Sequence, residues 1–82
     1  MIAIPNRRRI PTISGLHKRS VLLSGHATSI ALEPAFWAVL EEMARAREIS
    51  LAALIGRIDD ARTGGPLASA CRLAALAHAA GT

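Results

Sequence analysis

From Thr28 to Leu32 apolar and polar side chains alternate with a period of two, and beyond Pro34 the period becomes that of a helix. Thr28, Ile30 and Leu32 interleave with Ser29, Ala31 and Glu33, the pattern of a half-buried strand. Phe36, Leu40, Met43 and Arg47 then recur three or four apart, with Trp37 and Ala44 widening the stripe, as on one buried helix face. Ser50 opens a further helical run carrying Leu51, Leu54, Ile55 and Ile58. A short strand feeding two short helices leaves a bare backbone edge and a thin core. Two copies that pair their strands and share Ile30, Leu32, Phe36, Trp37, Leu40, Leu54, Ile55 and Ile58 as a common core would resolve both problems.

Local signals place the boundaries. Pro34 suits a first helical position, where its missing N–H costs nothing, and Glu33 before it is placed to meet free amides. The first helix is predicted over about 34–47 and the second over about 50–62, with Ile49 able to pack on Leu54 as a staple. Glu41 and Arg45 stand four apart, an ordinary surface pair. Thr63, Gly64, Gly65 and Pro66 end the second helix, and a third is predicted over about 66–80. Its apolar face is drawn through Leu67, Ala70, Leu73, Ala74 and Ala77, and Gly81 stops it.

Side-chain parity flips upstream of the strand, because Val21 and Leu23 are apolar at odd positions whereas Thr28, Ile30 and Leu32 are apolar at even ones. A glycine bulge near Ser24 and Gly25 would make one long bent strand. A tight turn there would instead fold Val21–Leu23 back on Thr28–Leu32 as a hairpin. Two short strand pieces are the favoured form. The predicted strand is about 28–32.

Charge is divided unevenly along the 82 residues, whose net charge is +4. Residues 1–26 hold Arg7, Arg8, Arg9, Lys18 and Arg19 and no acid, whereas the remainder holds five arginines against six acids. A basic arm on a near-neutral body suits a segment lying along phosphates. Pro5, Pro11, Ser14 and Gly15 break any period within it. The expected organisation is therefore a basic flexible arm over 1–17 and a folded domain over 18–82.

The strand residues Ile30, Leu32, Glu33 and Pro34, the stripe from Phe36, and Ser50 with Leu51, Leu54, Ile55 and Ile58 together resemble the ribbon-helix-helix family of bacterial DNA-binding proteins, of which Arc repressor is a member. The runs Lys18–Val21, Gly25–Ile30, Phe36–Trp37, Ile58–Asp59 and Leu67–Ala70 resemble a bacterial subfamily of that fold with a third, C-terminal helix. The resemblance implies an α+β, mainly helical protein forming an intertwined homodimer. It also implies a two-stranded antiparallel ribbon that enters the major groove of duplex DNA, with transcription regulation as the use.

Carried over residue by residue, the base-facing positions are Ala27, Ser29 and Ala31, and the amides of Ser50, Leu51 and Ala52 would hold a phosphate. Arg7, Arg8, Arg9, Lys18 and Arg19 would contact the DNA backbone. The face departs from the family pattern, since only Ser29 can hydrogen-bond a base and alanine methyls reach only thymine methyls. Specificity then comes from His26, Arg19 and the arm, or binding is loose, or another partner has replaced DNA. That alternative is an antitoxin-like or adaptor module engaging a protein through residues 66–80. Higher oligomers on DNA are compatible with either. Glu48 occupies the interhelical turn where the family often has glycine, so strain is expected there. A helix-turn-helix over Met43–Ile58 fits less well, because strand residues precede it.

Catalytic arrangements are missing. Asp59 and Asp60 are adjacent and diverge by roughly 100° around a helix, so they make no acid and base pair; Asp59 suits a pairing with Arg62. Cys71 and His78 lie seven residues and hence about 10.5 Å apart along a helix, too far for a nucleophile and its base. His17, His26 and His78 with one cysteine lack zinc spacing. No enzyme activity, metal or cofactor is expected. A single cysteine suits a reducing compartment. No apolar run reaches the roughly 18 residues of a membrane span, and no signal-peptide core is apparent. The expected location is the cytoplasm, away from membranes.

Overall fold

The computed structural model describes residues 15–81. The chain forms two strands and then three helices: β1 (His17–Leu23), β2 (His26–Leu32), α1 (Pro34–Ala46), α2 (Leu51–Ala61) and α3 (Leu67–Ala79). This is the α+β order expected, and each predicted helix boundary lies within about a residue of the observed one. The parity flip is resolved as a turn. β1 and β2 pair antiparallel as a hairpin, with His17 opposite Leu32 and Leu23 opposite His26.

Ser24 and Gly25 make the connection with φ of +51° and +83°. Two positive φ values in a two-residue loop are the signature of a type I′ turn, whose twist matches that of the flanking strands. The strand is also longer than 28–32, because the turn allows pairing to begin at His26. One edge of β2 is thus covered by β1 of the same chain, which removes the premise that a second copy must supply that partner.

Facing positions on the two strands alternate between core and solvent. Arg19, Val21 and Leu23 lie with Ile30, Thr28 and His26 on the helix side, and Leu32 with His17 at the open end. Val21, Ile30 and Leu32 are buried there with Trp37, Leu40, Met43, Ala44, Leu54, Ile55, Cys71 and Ala75. The buried stripe of α1 therefore runs through Trp37, with Phe36 only half-buried and Arg47 exposed. That shifts the predicted stripe by one residue. In α3 the correction is larger, because Cys71 and Ala75 form the buried line whereas Leu73 and Ala77 face solvent. Small side chains there let α3 lie close against α1, α2 and β2, since interaxial distance follows the size of the contact residues.

The helix ends are sealed locally. Pro34 is in the first turn of α1, and the Glu33 carbonyl accepts from the amides of Phe36 at 2.9 Å and Trp37 at 3.2 Å. Ser50 Oγ accepts from the Ala53 amide at 3.0 Å, which caps α2. Pro66 sits one place earlier than expected, as the N-cap of α3. At the close of α2 the Arg62 guanidinium donates to Asp59 Oδ1 and to the Gly65 carbonyl, pinning the loop into α3.

α1 ends in a Schellman motif. The Ile49 amide reaches the Ala44 carbonyl and the Glu48 amide the Arg45 carbonyl, with Glu48 at φ +56°. A left-handed conformation costs a side-chain-bearing residue about 1–2 kcal/mol, of which glycine's looser unfolded chain returns part. Glu48→Gly is therefore expected to raise stability by about 0.5–1 kcal/mol, read as a higher urea midpoint with an unchanged slope.

Candidate nucleic-acid interface

The hairpin presents one face to the helices and the other to solvent. On the outer face the register sets Lys18 opposite Ala31, Ser20 opposite Ser29, and Leu22 opposite Ala27. All are exposed except the half-buried Ala31. Ala27, Ser29 and Ala31 thus share one surface, as their parity requires. Ser20 and Leu22 join them without having been expected there. Their parity relative to Val21 carries the signal, but only once β1 is known to pair with β2.

Arg19 does not join this surface. It lies on the helix side, where its Nη1 donates to Glu41 Oε2 at 2.7 Å and its guanidinium stacks over the Trp37 ring at 4.6 Å from the centroid. Glu41 is therefore spent on β1 and not on Arg45. Trp37 Nε1 donates to the His17 carbonyl at 2.8 Å, so the same helix position grips both the backbone and a side chain of β1. The orientation of the ribbon is tied to α1 through these contacts.

A second arginine ties α1 to α3. Arg72 Nε donates to Glu33 Oε1 at 2.9 Å, and its guanidinium lies 5.8 Å from the Phe36 ring centroid. The Glu33 carboxylate thus serves Arg72, not the first helix amides. That hydrogen bond, helped by Glu33's own backbone amide, holds its carboxyl below the ordinary 4.5. A carboxyl depressed on folding stabilises at pH above its unfolded value, and that contribution is lost as pH falls through the folded value. Glu33→Gln should therefore flatten the loss of thermal stability on acidification below about pH 4.5, measured as melting temperature against pH in both proteins.

At the start of α2, which packs against β1, only the Ala53 amide is taken by the cap. The amides of Ser50, Leu51 and Ala52 point from a helix N-terminus, the general setting for an anion. Arg7, Arg8 and Arg9 lie outside the described residues. Of the residues expected to form a shared core, Ile30, Leu32, Trp37, Leu40, Leu54 and Ile55 are buried within the single chain, and Phe36 and Ile58 are half-buried. Cys71 is fully enclosed, and burial together with nearby Asp59 pushes its thiol up against the opposing pull of Arg72, the setting of an inert cysteine. Among the described residues no three His, Cys, Asp or Glu side chains gather to hold a metal ion, and no helix is long and apolar enough to cross a membrane.

A ribbon-helix-helix domain model matches residues 16–79, from the residue before β1 to the end of α3. The chain belongs to the ribbon-helix-helix family. This is a DNA-binding, regulator-type fold whose members are typically not enzymes and generally engage DNA as dimers. Among solved structures, an uncharacterized protein from Bordetella pertussis Tohama I is similar, with 28% identity and a TM-score of 0.75 over 96% of this chain and 70% of that one. A search of curated proteins found no match.

Proposed function

We propose that this ribbon-helix-helix chain is a cytoplasmic homodimer that binds duplex DNA and regulates transcription, placing its antiparallel ribbon in the major groove. The outer hairpin face carries the reading. It holds the exposed Ala27 and Ser29 and the half-buried Ala31 on one surface of a ribbon that α1 grips through Trp37 and Arg19. Ser50, Leu51 and Ala52 supply a phosphate seat at the α2 N-terminus. Arg7, Arg8, Arg9 and Lys18 add phosphate contacts, and Arg19 acts as a positioning residue for the ribbon.

One observation favours a second reading. Leu73 and Leu76 of α3 keep 66% and 54% of their surface exposed, next to an apolar groove of about 370 Å³ between the end of α2 and α3. An antitoxin-like or adaptor module would use that face for a protein partner. Titration of a random-sequence duplex at about 50 mM salt separates the two. Saturable binding that Leu73→Ser/Leu76→Ser leaves intact supports the regulator. A folded protein that fails to bind leaves the protein-interaction module.

A further inference from the structure

The solvent side of α3 carries no charged residue. The ionisable side chains of this helix are both turned to α1, where Arg72 Nε donates to Glu33 Oε1 at 2.9 Å and His78 Nε2 lies 3.2 Å from Glu42 Oε2. Outward stand Ser69, Leu73, Leu76, Ala77 and Ala80, all exposed. Their spacing of three and four puts them on one face. A surface helix ordinarily keeps charged and polar residues on the side that meets water, and here that side is apolar.

A projection and a recess lie together on this face. Leu73 and Leu76 keep 66% and 54% of their surface exposed. Beside them the groove between α2 and α3 is walled by Ile58, Ala61, Pro66, Ala70 and Ala74 and has a volume of about 370 Å³. A cavity of about 150 Å³ lined by aliphatic and aromatic side chains takes in benzene, so the groove has room for two leucine side chains. Arg62 at its rim is already engaged by Asp59 and the Gly65 carbonyl.

An apolar projection beside an apolar recess is self-complementary, because a two-fold axis sets the projection of each copy into the recess of the other. A charged face would repel its own copy in such a pairing, and this face has no charge to repel. Antiparallel helices also bring the positive end of each dipole near the negative end of the other. With the axis at Leu73, the register sets Leu76 opposite Ala70, Ala77 opposite Ser69 and Ala80 opposite Pro66 of the second copy. Leu76 then meets a small residue that lines the groove, and the two helices can approach closely.

We propose that the outer face of α3 is a self-association surface, on which a second copy of this chain seats Leu76 in the groove between α2 and α3 around a two-fold axis at Leu73. The 13 residues of α3 span about 20 Å, so the patch is at the small end of specific interfaces and the association is reversible. α3 packs on the helix side of the hairpin, with Cys71 and Ala75 in one core with Val21 and Ile30, so the pairing leaves the outer hairpin face open. It is additional to the contact through which ribbon-helix-helix chains pair on DNA.

Sedimentation equilibrium of the full chain from about 1 μM to about 0.5 mM tests this with the wild type and with Leu73→Ser/Leu76→Ser. Both leucines are exposed, so the double variant keeps the wild-type melting transition. At the top of the range the wild-type particle is expected to hold twice as many chains as the variant particle. Leu73→Cys, on the axis, should form an intermolecular disulfide under oxidised glutathione at least about tenfold faster than Ala46→Cys on α1, because the bond requires Cβ atoms within about 4.5 Å. Equal chain numbers in the two proteins, or equal disulfide rates at the two positions, overturn the self-pairing and leave the face to a different protein. Duplex binding by the double variant is read separately, so the regulator reading and the α3 pairing fail independently.

Discussion

Replacing Trp37 by alanine is expected to cost about 3–5 kcal/mol, the usual penalty for truncating a buried tryptophan. Trp37 is 1% exposed, donates to the His17 carbonyl and lies under the Arg19 guanidinium, so the substitution opens a cavity and frees β1 together. A chain of 82 residues has a total stability of about 4–12 kcal/mol. The loss therefore takes a quarter or more of it, and a melting transition moved far down toward physiological temperature is expected. Trp37→Phe separates the two effects, since it keeps most of the packing and removes the Nε1–H donor. The His17 carbonyl then turns to water at the exposed start of β1, and a cost of about 1 kcal/mol is expected. Because Trp37 is the sole tryptophan, the measurement is urea unfolding followed by far-ultraviolet circular dichroism. An alanine variant within about 1 kcal/mol of wild type would mean that the core is organised around something other than this residue.

The tryptophan illustrates what the sequence makes legible. Its position in a helical stripe after Pro34 is readable from spacing, as are β2, the proline start of α1 and the Ser50 cap, because each rests on contacts a few residues long. The hairpin is only half readable. A parity flip at Ser24 and Gly25 is satisfied by a bulge or by a turn, and Ser-Gly is a weaker turn signal than Asn-Gly. Pairing of β1 with β2 settles the choice, and pairing is not a local property.

The interface divides the same way. The outward parity of Ala27, Ser29 and Ala31 is legible from the strand alone, whereas Ser20 and Leu22 become neighbours of theirs only through the hairpin register. Composition groups Arg19 with the DNA-contacting cations because it counts charge and not direction. Arg19 shares odd parity with the buried Val21, which already turns it toward the helices, but its pairing with Glu41 spans 22 residues and leaves no local trace. In α3 the alanine-rich composition blurs the buried face, and leucine is a misleading marker of it. Close helix packing instead selects Cys71 and Ala75, leaving Leu73 and Leu76 exposed.

The affinity for duplex DNA is expected to fall about 150-fold for each chain engaged, and so about 2 × 10^4-fold for a dimer, as salt rises from about 50 to about 200 mM, if each chain neutralises about four phosphates. Arg7, Arg8, Arg9 and Lys18 are the four cations assigned to that task; Arg19 is left out because Glu41 already neutralises it at 2.7 Å. Each phosphate contact contributes about −0.9 to the slope of log affinity against log salt, so one chain gives about −3.6 and a dimer about twice that. Replacing Arg7, Arg8 and Arg9 by serine leaves Lys18 and should flatten the slope per chain to about −0.9, a loss of only about 3.5-fold over the same range. Arg19→Ala makes the opposite demand, since it loosens the ribbon without removing a phosphate contact. Affinity should drop at every salt concentration while the slope is kept. Fluorescence anisotropy of a labelled duplex measures both. A slope unchanged by the triple substitution would remove the arm from the interface, and a slope reduced by Arg19→Ala would mean that its guanidinium leaves Glu41 for a phosphate when DNA binds.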